Sequence, residues 1–236
     1  KEIEIGNSFL VNLTAKTKIN SNYTIAEIYN QANAKYTCYL KDSFVCFSPE
    51  TFIKIKAGKI YSYPMKGTIN ASIPDAKNKI LNDPKEISEH ATMVDLIRND
   101  LSRVSKNVKV NKYRYYEEIA TQDVNLGQVS SEIVGELEAN YCENIGEIIF
   151  NLLPAGSISG APKQKTIQII AAAEKEDRGY YTGIAGYYDG QNLDSTVLIR
   201  YLQNDNYYRS GGGITCNSDA LNEYQEMIDK VYVPLF

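Results

Sequence analysis

The sequence predicts an α+β fold in which two antiparallel β-sheets pack together with helices around them. Two groups of short, alternating segments separated by turn residues indicate the sheets, because strands joined by tight turns pair antiparallel. Helices with clear capping signals lie between and after these groups, a mixed order that is typical of α+β domains. No linker interrupts the pattern, so we expect residues 1–236 to form a single domain.

The first group of strands lies in the N-terminal quarter of the chain. A strand is predicted over residues 6–13, and a helix from Thr24 to about Ala34, where Thr24 and Glu27 have the spacing of a capping box. Strands then follow at 36–40, 44–48, 52–57 and 59–63, with Lys41-Asp42 and Gly58-Lys59 as the turns between them.

The remaining elements begin with the strongest helix start in the chain. Asp83 can cap this helix and Pro84 suits its first position, so we expect it to run to about Val104. Two more helices, three strands and a final helix follow, predicted in that order at 144–153, 162–173, 180–188, 195–202, 207–216 and 219–232.

Composition excludes several classes of protein. The net charge of −4 and the lack of any basic run argue against nucleic-acid binding. The apolar runs are much shorter than a membrane span, which argues against a membrane protein. The four cysteines form no Cys-x-x-Cys pair, and we expect reduced thiols in a cytoplasmic protein.

A lysine occupies an unusual local setting in the segment Pro64-Met65-Lys66-Gly67-Thr68. Proline fixes φ before the expected corner and glycine permits a positive φ after it. Lys66 could therefore be aimed at a target. On these residues alone, an ordinary exposed turn lysine is the commoner interpretation.

Two carboxylate pairs have the same spacing on two predicted helices. Glu86 and Glu89 are three residues apart, as are Glu223 and Glu226, so each pair shares one helix face. Mg²⁺ prefers oxygen ligands and usually keeps several waters, so two such helices could hold it. The alternative is that both helix faces are solvated and bind no metal ion.

Several other features could bind an anionic ligand. Arg200 lies in a predicted alternating strand and faces inward with apolar residues, where an arginine usually meets an anion. Lys230 follows Glu226 by one helical turn, so it could bind a carboxylate or pair with Glu226. The loop 156–163 is not a Walker motif but could present backbone N–H groups, and glycines 211–213 would allow a ligand to approach closely.

His90 is the only histidine, and it lies beside Glu89 within a predicted helix. A Ser-His-Asp hydrolase or a glutaminase with a histidine-activated cysteine would need it. We favour a structural role for His90, or one in which it supports a neighbouring site residue.

Taken together, the motifs resemble the chorismate-utilising enzymes, most closely the aminodeoxychorismate synthase component I branch. The resemblance covers nearly the whole chain in family order and implies a single chorismate-binding catalytic domain. The family usually has a further N-terminal region before the strand at Gly6, which is largely absent here. The matching segments are 48–52, 64–68, 83–100, 153–163, 181–187, 199–200, 212–214 and 223–226.

The resemblance also implies roles for individual residues. Glu89 and Glu226 would ligate Mg²⁺, with Glu86 and Glu223 close by. Glu50 would be the general acid at the departing C4 hydroxyl. Contacts to the substrate carboxylates would come from Arg200, Tyr181, Lys230 and the backbone of Gly212 and Gly213.

Lys66 distinguishes the branches of this family. Anthranilate synthases usually have alanine at this position, whereas aminodeoxychorismate synthases have lysine, as here. The resemblance thus implies that Lys66 attacks chorismate at C2 and that ammonia then displaces it to give 4-amino-4-deoxychorismate, for p-aminobenzoate and folate synthesis. The ammonia would come from a glutamine amidotransferase subunit. Anthranilate synthase component I is the alternative, and a non-catalytic binding subunit is a second one. The isochorismate and salicylate synthases rank low, because Lys16 and Lys18 lie outside any matching motif.

Overall fold

The structure is a computed structural model that describes residues 1–119 and 125–235. The chain divides into two compact units. Unit 1 comprises Lys1–Glu50, Pro154–Gly186 and Thr196–Phe236, and unit 2 comprises Thr51–Leu153 and Tyr187–Ser195. That the chain forms a single domain stays a prediction.

The secondary structure alternates between strands and helices along the whole chain. The strands are β1 (Leu10–Lys18), β2 (Tyr36–Leu40), β3 (Phe44–Ser48), β4 (Thr51–Lys56), β5 (Lys59–Ser62), β6 (Met65–Asn70), β7 (Lys106–Ile119), β8 (Leu126–Glu136), β9 (Gly160–Ala161), β10 (Ile184–Tyr188), β11 (Leu193–Val197), β12 (Tyr201–Gln203) and β13 (Tyr207–Ile214). The helices are α1 (Ile25–Gln31), α2 (Ala76–Asn82), α3 (Pro84–Ser102), α4 (Ile145–Leu152), α5 (Gly156–Ser159), α6 (Lys163–Glu174) and α7 (Ala220–Asp229), with a 3₁₀ turn at Tyr141–Glu143.

Unit 1 is built on a sheet with the strand order β2-β3-β12-β13-β1-β9, and its neighbouring strands pair antiparallel. Strand β3 is buried along its whole length. Val45 and Phe47 belong to a core cluster that includes Ile25 and Ile28 of α1. Alternate residues of β3 join a second cluster, which contains Tyr181, because successive side chains of a strand point to opposite faces.

Unit 2 contains most of the second sheet, whose order is β10-β11-β4-β5-β8-β6 with β7 paired to β8. The pairings of β5, β6 and β7 with β8 are antiparallel. Helix α3 packs against β6, β7 and β8, and it buries Met93, Val94 and Leu101 among other residues.

Capping chemistry explains where several helices begin. Thr24 and Glu27 form both hydrogen bonds of a capping box at α1. Asp83 accepts a hydrogen bond from the Glu86 N–H at α3, where Pro84 holds the first position. Asp219 accepts from the Asn222 N–H and begins α7. The predicted starts of these helices are confirmed.

The structure confirms an α+β fold with two antiparallel sheets and helices, and it corrects several boundaries. The first strand is β1, which begins at Leu10 because residues 2–6 form turns. The strand predicted over 195–202 is broken between β11 and β12, where Arg200 has a φ of +54°. Strands β6 and β8 and helix α2 were not predicted, and the sequence alternates only weakly over β7.

Two expectations from composition concern thiols and membranes. The four cysteines are free, and Cys46 is the buried one among them. Within the described residues, the helices are too short or too polar to cross a membrane.

Candidate functional site

Lys66 lies in a bulged strand and not on a tight corner, which corrects the sequence prediction. It belongs to β6, and the pairing of β6 with β8 shifts register between Met65 and Thr68. Gly67, within this irregularity, has a φ of +92°. A bulge of this kind aims a side chain away from its regular direction.

The amine of Lys66 forms an ion pair with α3. Its Nζ lies 2.8 Å from Glu89 Oε2, and the two side chains are 28% and 15% exposed. Lys85 lies one turn earlier on α3, with its Nζ 3.9 Å from the other Glu89 oxygen. Lys66 is therefore a partly shielded, directed cation, and the interpretation as an ordinary turn lysine does not hold.

Gly67 also makes room for the second carboxylate of this helix. A Cβ at Gly67 would lie 2.8 Å from Glu86 Oε2, too close for an ordinary contact. This oxygen is buried and has no hydrogen-bond partner among residues 1–119 and 125–235. Burial raises the pKa of Glu86 above its ordinary value, although the nearby Lys66 opposes the shift. A buried carboxylate oxygen without a partner is suited to a hard cation.

In unit 1, the chain holds Glu50 firmly by its backbone. Its N–H donates to Ser48 Oγ at 3.1 Å, and its carbonyl accepts from Thr196 Oγ1 at 2.7 Å. The Ser157 hydroxyl donates to Glu50 Oε1. Ser157 lies on α5, in the small-residue loop that the sequence marked, but nothing in the sequence connected it with Glu50.

The protonation of Glu50 is set by its surroundings. Burial raises the pKa of the Glu50 carboxyl, whereas the hydrogen bond from Ser157 and the charge of Lys230 act to lower it. The net direction is upward, so the carboxyl keeps its proton to a higher pH than an exposed glutamate. A carboxylic acid of this kind can serve as a general acid.

Arg200 lies at the bend between β11 and β12, which corrects its assignment to a strand. Its Nη1 donates to the Lys230 carbonyl at 2.9 Å, and its guanidinium carbon lies 4.8 Å from the centre of the Tyr232 ring. The segment after α7 therefore fixes the orientation of the guanidinium. A guanidinium has five N–H donors and pairs well with a carboxylate.

Tyr181 lies in a turn before β10, whereas the sequence placed it in a strand. It is buried, and its ring centre is 5.6 Å from that of Tyr201. Burial raises the pKa of the Tyr181 hydroxyl, so the group stays protonated and can donate a hydrogen bond.

Gly212 and Gly213 lie inside β13, within the strand predicted over 207–216. A Cβ at Gly212 would lie 3.6 Å from Glu223 Oε2, so this strand runs close to a candidate metal ligand on α7. Lys230 Nζ donates to Gly211 O at 2.9 Å and to Glu226 Oε1 at 2.6 Å. The ion pair with Glu226, one of the two interpretations of Lys230, is therefore present.

The carboxylate pairs of α3 and α7 belong to different units. On α7, Ser218 donates to Glu223 Oε1 at 2.7 Å, while Glu226 binds Lys230. Across the described chain, no group of three or more His, Cys, Asp or Glu side chains gathers as a metal site. The donors are oxygen atoms, and the unpartnered Glu86 Oε2 fits a hard cation that takes its remaining ligands from substrate and water.

Comparisons with known proteins agree on one family. The sequence matches the family described as chorismate binding enzyme over residues 1–235. An uncharacterized PabA-like protein of Haemophilus influenzae is 53% identical over 99% of this chain and 72% of its own length. Aminodeoxychorismate synthase component 1 of Bacillus subtilis is 30% identical over 98% of this chain and 52% of its own length.

A solved structure gives the same result for the fold. Anthranilate synthase component I of Streptococcus pneumoniae superposes with a TM-score of 0.80 at 29% identity, over 98% of this chain and 54% of its own length. The chain thus spans about half the length of the Bacillus subtilis and Streptococcus pneumoniae proteins. Because the family match extends along the whole chain, this protein belongs to the chorismate binding enzyme family.

Proposed function

We propose that this protein converts chorismate and ammonia into 4-amino-4-deoxychorismate. The observation that carries the proposal is Lys66, a directed lysine whose amine lies 2.8 Å from Glu89. The chain resembles anthranilate synthases as well, but those usually have alanine at this position. Relatives of both kinds have similar identity to this chain, so the choice depends on Lys66.

In the proposed first step, the neutral amine of Lys66 attacks C2 of chorismate. A carboxylate at 2.8 Å favours an ammonium group, so the amine must pass a proton to water before it attacks. The new C–N bond forms at C2, the ring double bond shifts, and the C4 hydroxyl leaves. Ammonia then adds at C4, the double bond shifts back, and Lys66 leaves.

Glu50 is the proposed general acid for the departing hydroxyl. Its raised pKa supports this role, because the carboxyl retains a proton to give at a higher pH than an exposed glutamate does. Once the proton is transferred, Ser157 can stabilise the carboxylate through its hydrogen bond. The C4 hydroxyl leaves as water. After ammonia adds at C4, the new ammonium group returns one proton to Glu50, so the charges balance over the whole reaction.

The substrate carboxylates have proposed partners in unit 1. Arg200 and Lys230 supply positive charge, and Tyr181 supplies a hydroxyl donor. The backbone of Gly212 and Gly213 is open to close approach. Arg200 is oriented by the backbone carbonyl of Lys230, so a side-chain variant at Lys230 leaves this contact in place.

We retain Mg²⁺ as a proposed cofactor, with Glu89 and Glu226 as ligands and Glu86 and Glu223 as supporting carboxylates. When bound, the ion would neutralise a substrate carboxylate. Oxygen donors on both helices and the unpartnered Glu86 Oε2 support this assignment.

The ammonia source is proposed to be a separate glutamine amidotransferase subunit. His90, the only histidine, is buried in α3, so it cannot activate a solvent-accessible cysteine for glutamine hydrolysis. The product would serve p-aminobenzoate and folate synthesis, and we propose a cytoplasmic location in keeping with that pathway.

Anthranilate synthase component I is the second candidate, favoured by the similarity to the Streptococcus pneumoniae structure. Incubation of the purified chain with chorismate, Mg²⁺ and ammonium distinguishes the two by mass spectrometry and fluorescence. We expect the mass of 4-amino-4-deoxychorismate and no anthranilate fluorescence. Fluorescent anthranilate would establish the second candidate. If the chain neither binds chorismate nor turns it over, the result would indicate a non-catalytic subunit.

A further inference from the structure

A buried hydroxyl in unit 2 joins the strand of Lys66 to the helix of Glu89. Ser131 lies in β8 and is fully buried. Its N–H donates to the Pro64 carbonyl at 3.0 Å, two residues before Lys66. Its Oγ lies 2.7 Å from His90 Nε2, on the residue after Glu89. One residue thus contacts the chain next to both members of the Lys66–Glu89 ion pair.

The same hydroxyl also holds a third element. The Arg114 N–H donates to Ser131 Oγ at 2.9 Å, at a point where β7 has a φ of +47° and shifts its register against β8. The Arg114 guanidinium donates to the carbonyls of Leu81 and Ile80, at the end of α2. Ile80 in turn approaches Gly67, since its Cδ1 would lie 3.3 Å from a Cβ there.

These bonds give Ser131 more than a packing role. The bulge in β6 leaves Lys66 without the regular cross-strand pairing that would otherwise orient it. Ser131 instead holds the start of β6 through its hydrogen bond to the Pro64 carbonyl. It also holds α3 through its hydrogen bond to His90.

We infer that Ser131, acting with His90, is a positioning residue that sets the distance between the Lys66 amine and the Glu89 carboxylate. This inference rests on the proposed function where it concerns turnover, but the geometry can be tested without turnover. Neither side chain has a role in the chemical steps proposed for Lys66 and Glu50. Their effect on the reaction would pass through the Lys66–Glu89 pair.

The first test measures the reactivity of Lys66 by pulsed reductive methylation and peptide mass spectrometry, with exposed Lys41 as the internal reference. In Ser131→Ala, we expect Lys66 to be labelled several-fold faster than in the wild type, because its ion pair loosens. Ser130→Ala is the matched control. Ser130 is the adjacent buried serine of β8, and its Oγ accepts from Gln128 Nε2 at 3.1 Å. We expect no change in Lys66 labelling in that variant.

Two further variants protect the test against a folding defect. Ser131→Cys keeps the size of the side chain but hydrogen-bonds weakly, so we expect intermediate labelling. His90→Leu removes the ring nitrogen and should reproduce the effect of Ser131→Ala, and the double variant should label no faster than either single one. Equal labelling of Lys66 in folded Ser131→Ala or Ser131→Cys and in Ser130→Ala would overturn the inference.

The second test measures steady-state kinetics with chorismate. Because the proposed carboxylate contacts lie in unit 1, we expect Ser131→Ala to lower kcat with KM for chorismate unchanged. A misplacement of about an ångström can lower the rate by up to ~100-fold. A higher KM with an unchanged kcat would contradict the positioning role. If the wild type does not turn over chorismate, the proposed function fails, while the labelling still decides the role of Ser131.

Discussion

Glu89 Oε2 lies 2.8 Å from Lys66 Nζ, and both side chains are largely shielded from solvent. The pair joins a bulged strand to a helix that also carries Glu86. The residue that distinguishes the family branches and a proposed metal ligand therefore touch each other directly. Any variant that removes one of them changes the charge around the other.

Replacement of Glu50 by glutamine tests the proposed general acid. Glutamine cannot donate the proton, so we expect kcat to fall by about 10²–10⁴-fold, the usual contribution of general acid catalysis. The wild-type rate should decline as pH rises through the raised pKa of Glu50. A wild-type rate that is flat across this range, together with an active Glu50→Gln variant, would exclude the role.

Glu50→Gln should lower activity but raise thermal stability relative to the wild type at alkaline pH. A carboxyl whose pKa is raised on folding binds its proton more tightly in the folded state, so the wild type loses stability as pH rises from the ordinary pKa to the raised one. Glutamine does not titrate. We therefore expect the Tm difference in favour of Glu50→Gln to be greater at pH 8 than at pH 4, as measured by thermal denaturation.

Removal of the Ser157 hydroxyl should move the alkaline limb of the rate profile. The hydroxyl donates to the Glu50 carboxylate and lowers its pKa. In Ser157→Ala we expect that limb to shift to higher pH. Ser159→Ala is the control from the same loop, since Ser159 Oγ donates instead to the Ala155 carbonyl at 2.9 Å. An equal shift in both variants would contradict the account.

Gly67→Ala tests the space between β6 and α3. The φ of +92° should cost about 1–2 kcal/mol of folding free energy in an alanine variant. The added Cβ would also displace Glu86, so we expect a loss of activity as well. Gly190→Ala is the matched control, because Gly190 has a φ of +97° but no described atom within 4 Å of its Cβ position. It should lower Tm and leave activity unchanged, and similar activities for the two variants would refute the role of Gly67.

The metal proposal predicts that each helix contributes a ligand. We expect Glu89→Gln and Glu226→Gln each to raise the Mg²⁺ concentration required for half-maximal activity by at least about tenfold, since even indirect disturbance of a metal site costs 10–100-fold. Exposed Glu147, on α4, provides the control variant Glu147→Gln. Full activity of the wild type in excess EDTA would contradict the proposal.

The strands that were easiest to predict from sequence include β3, which is buried on both faces, and its half-buried neighbour β2. Strands β2 and β3 match their predicted bounds, because apolar residues fill β3 and turn residues separate the two. Strand β7 was harder to detect, since its pairing with β8 shifts register several times and each bulge interrupts the alternation. Pro64 and Gly67 indicated a turn because both residues favour turns, although they flank a bulge here.

The candidate site shows where sequence patterns stop being informative. Glu50 and Lys66 were identified through motif resemblance, and local spacing placed Glu86 beside Glu89 on one helix face. Ser157 and Glu50 are 107 residues apart in the chain, and His90 and Ser131 are 41 apart. Contacts between residues so far apart in the sequence depend on the fold of the unit, so no local sequence pattern could reveal them.

The clearest test of the proposed role of Lys66 is the product that Lys66→Ala forms from chorismate, Mg²⁺ and ammonium. Lys85→Ala is the control, because Lys85 is the other lysine near Glu89 but is more exposed. We predict that the wild type and Lys85→Ala release 4-amino-4-deoxychorismate, while Lys66→Ala falls to background. Full activity of Lys66→Ala, or anthranilate as the wild-type product, would contradict the account.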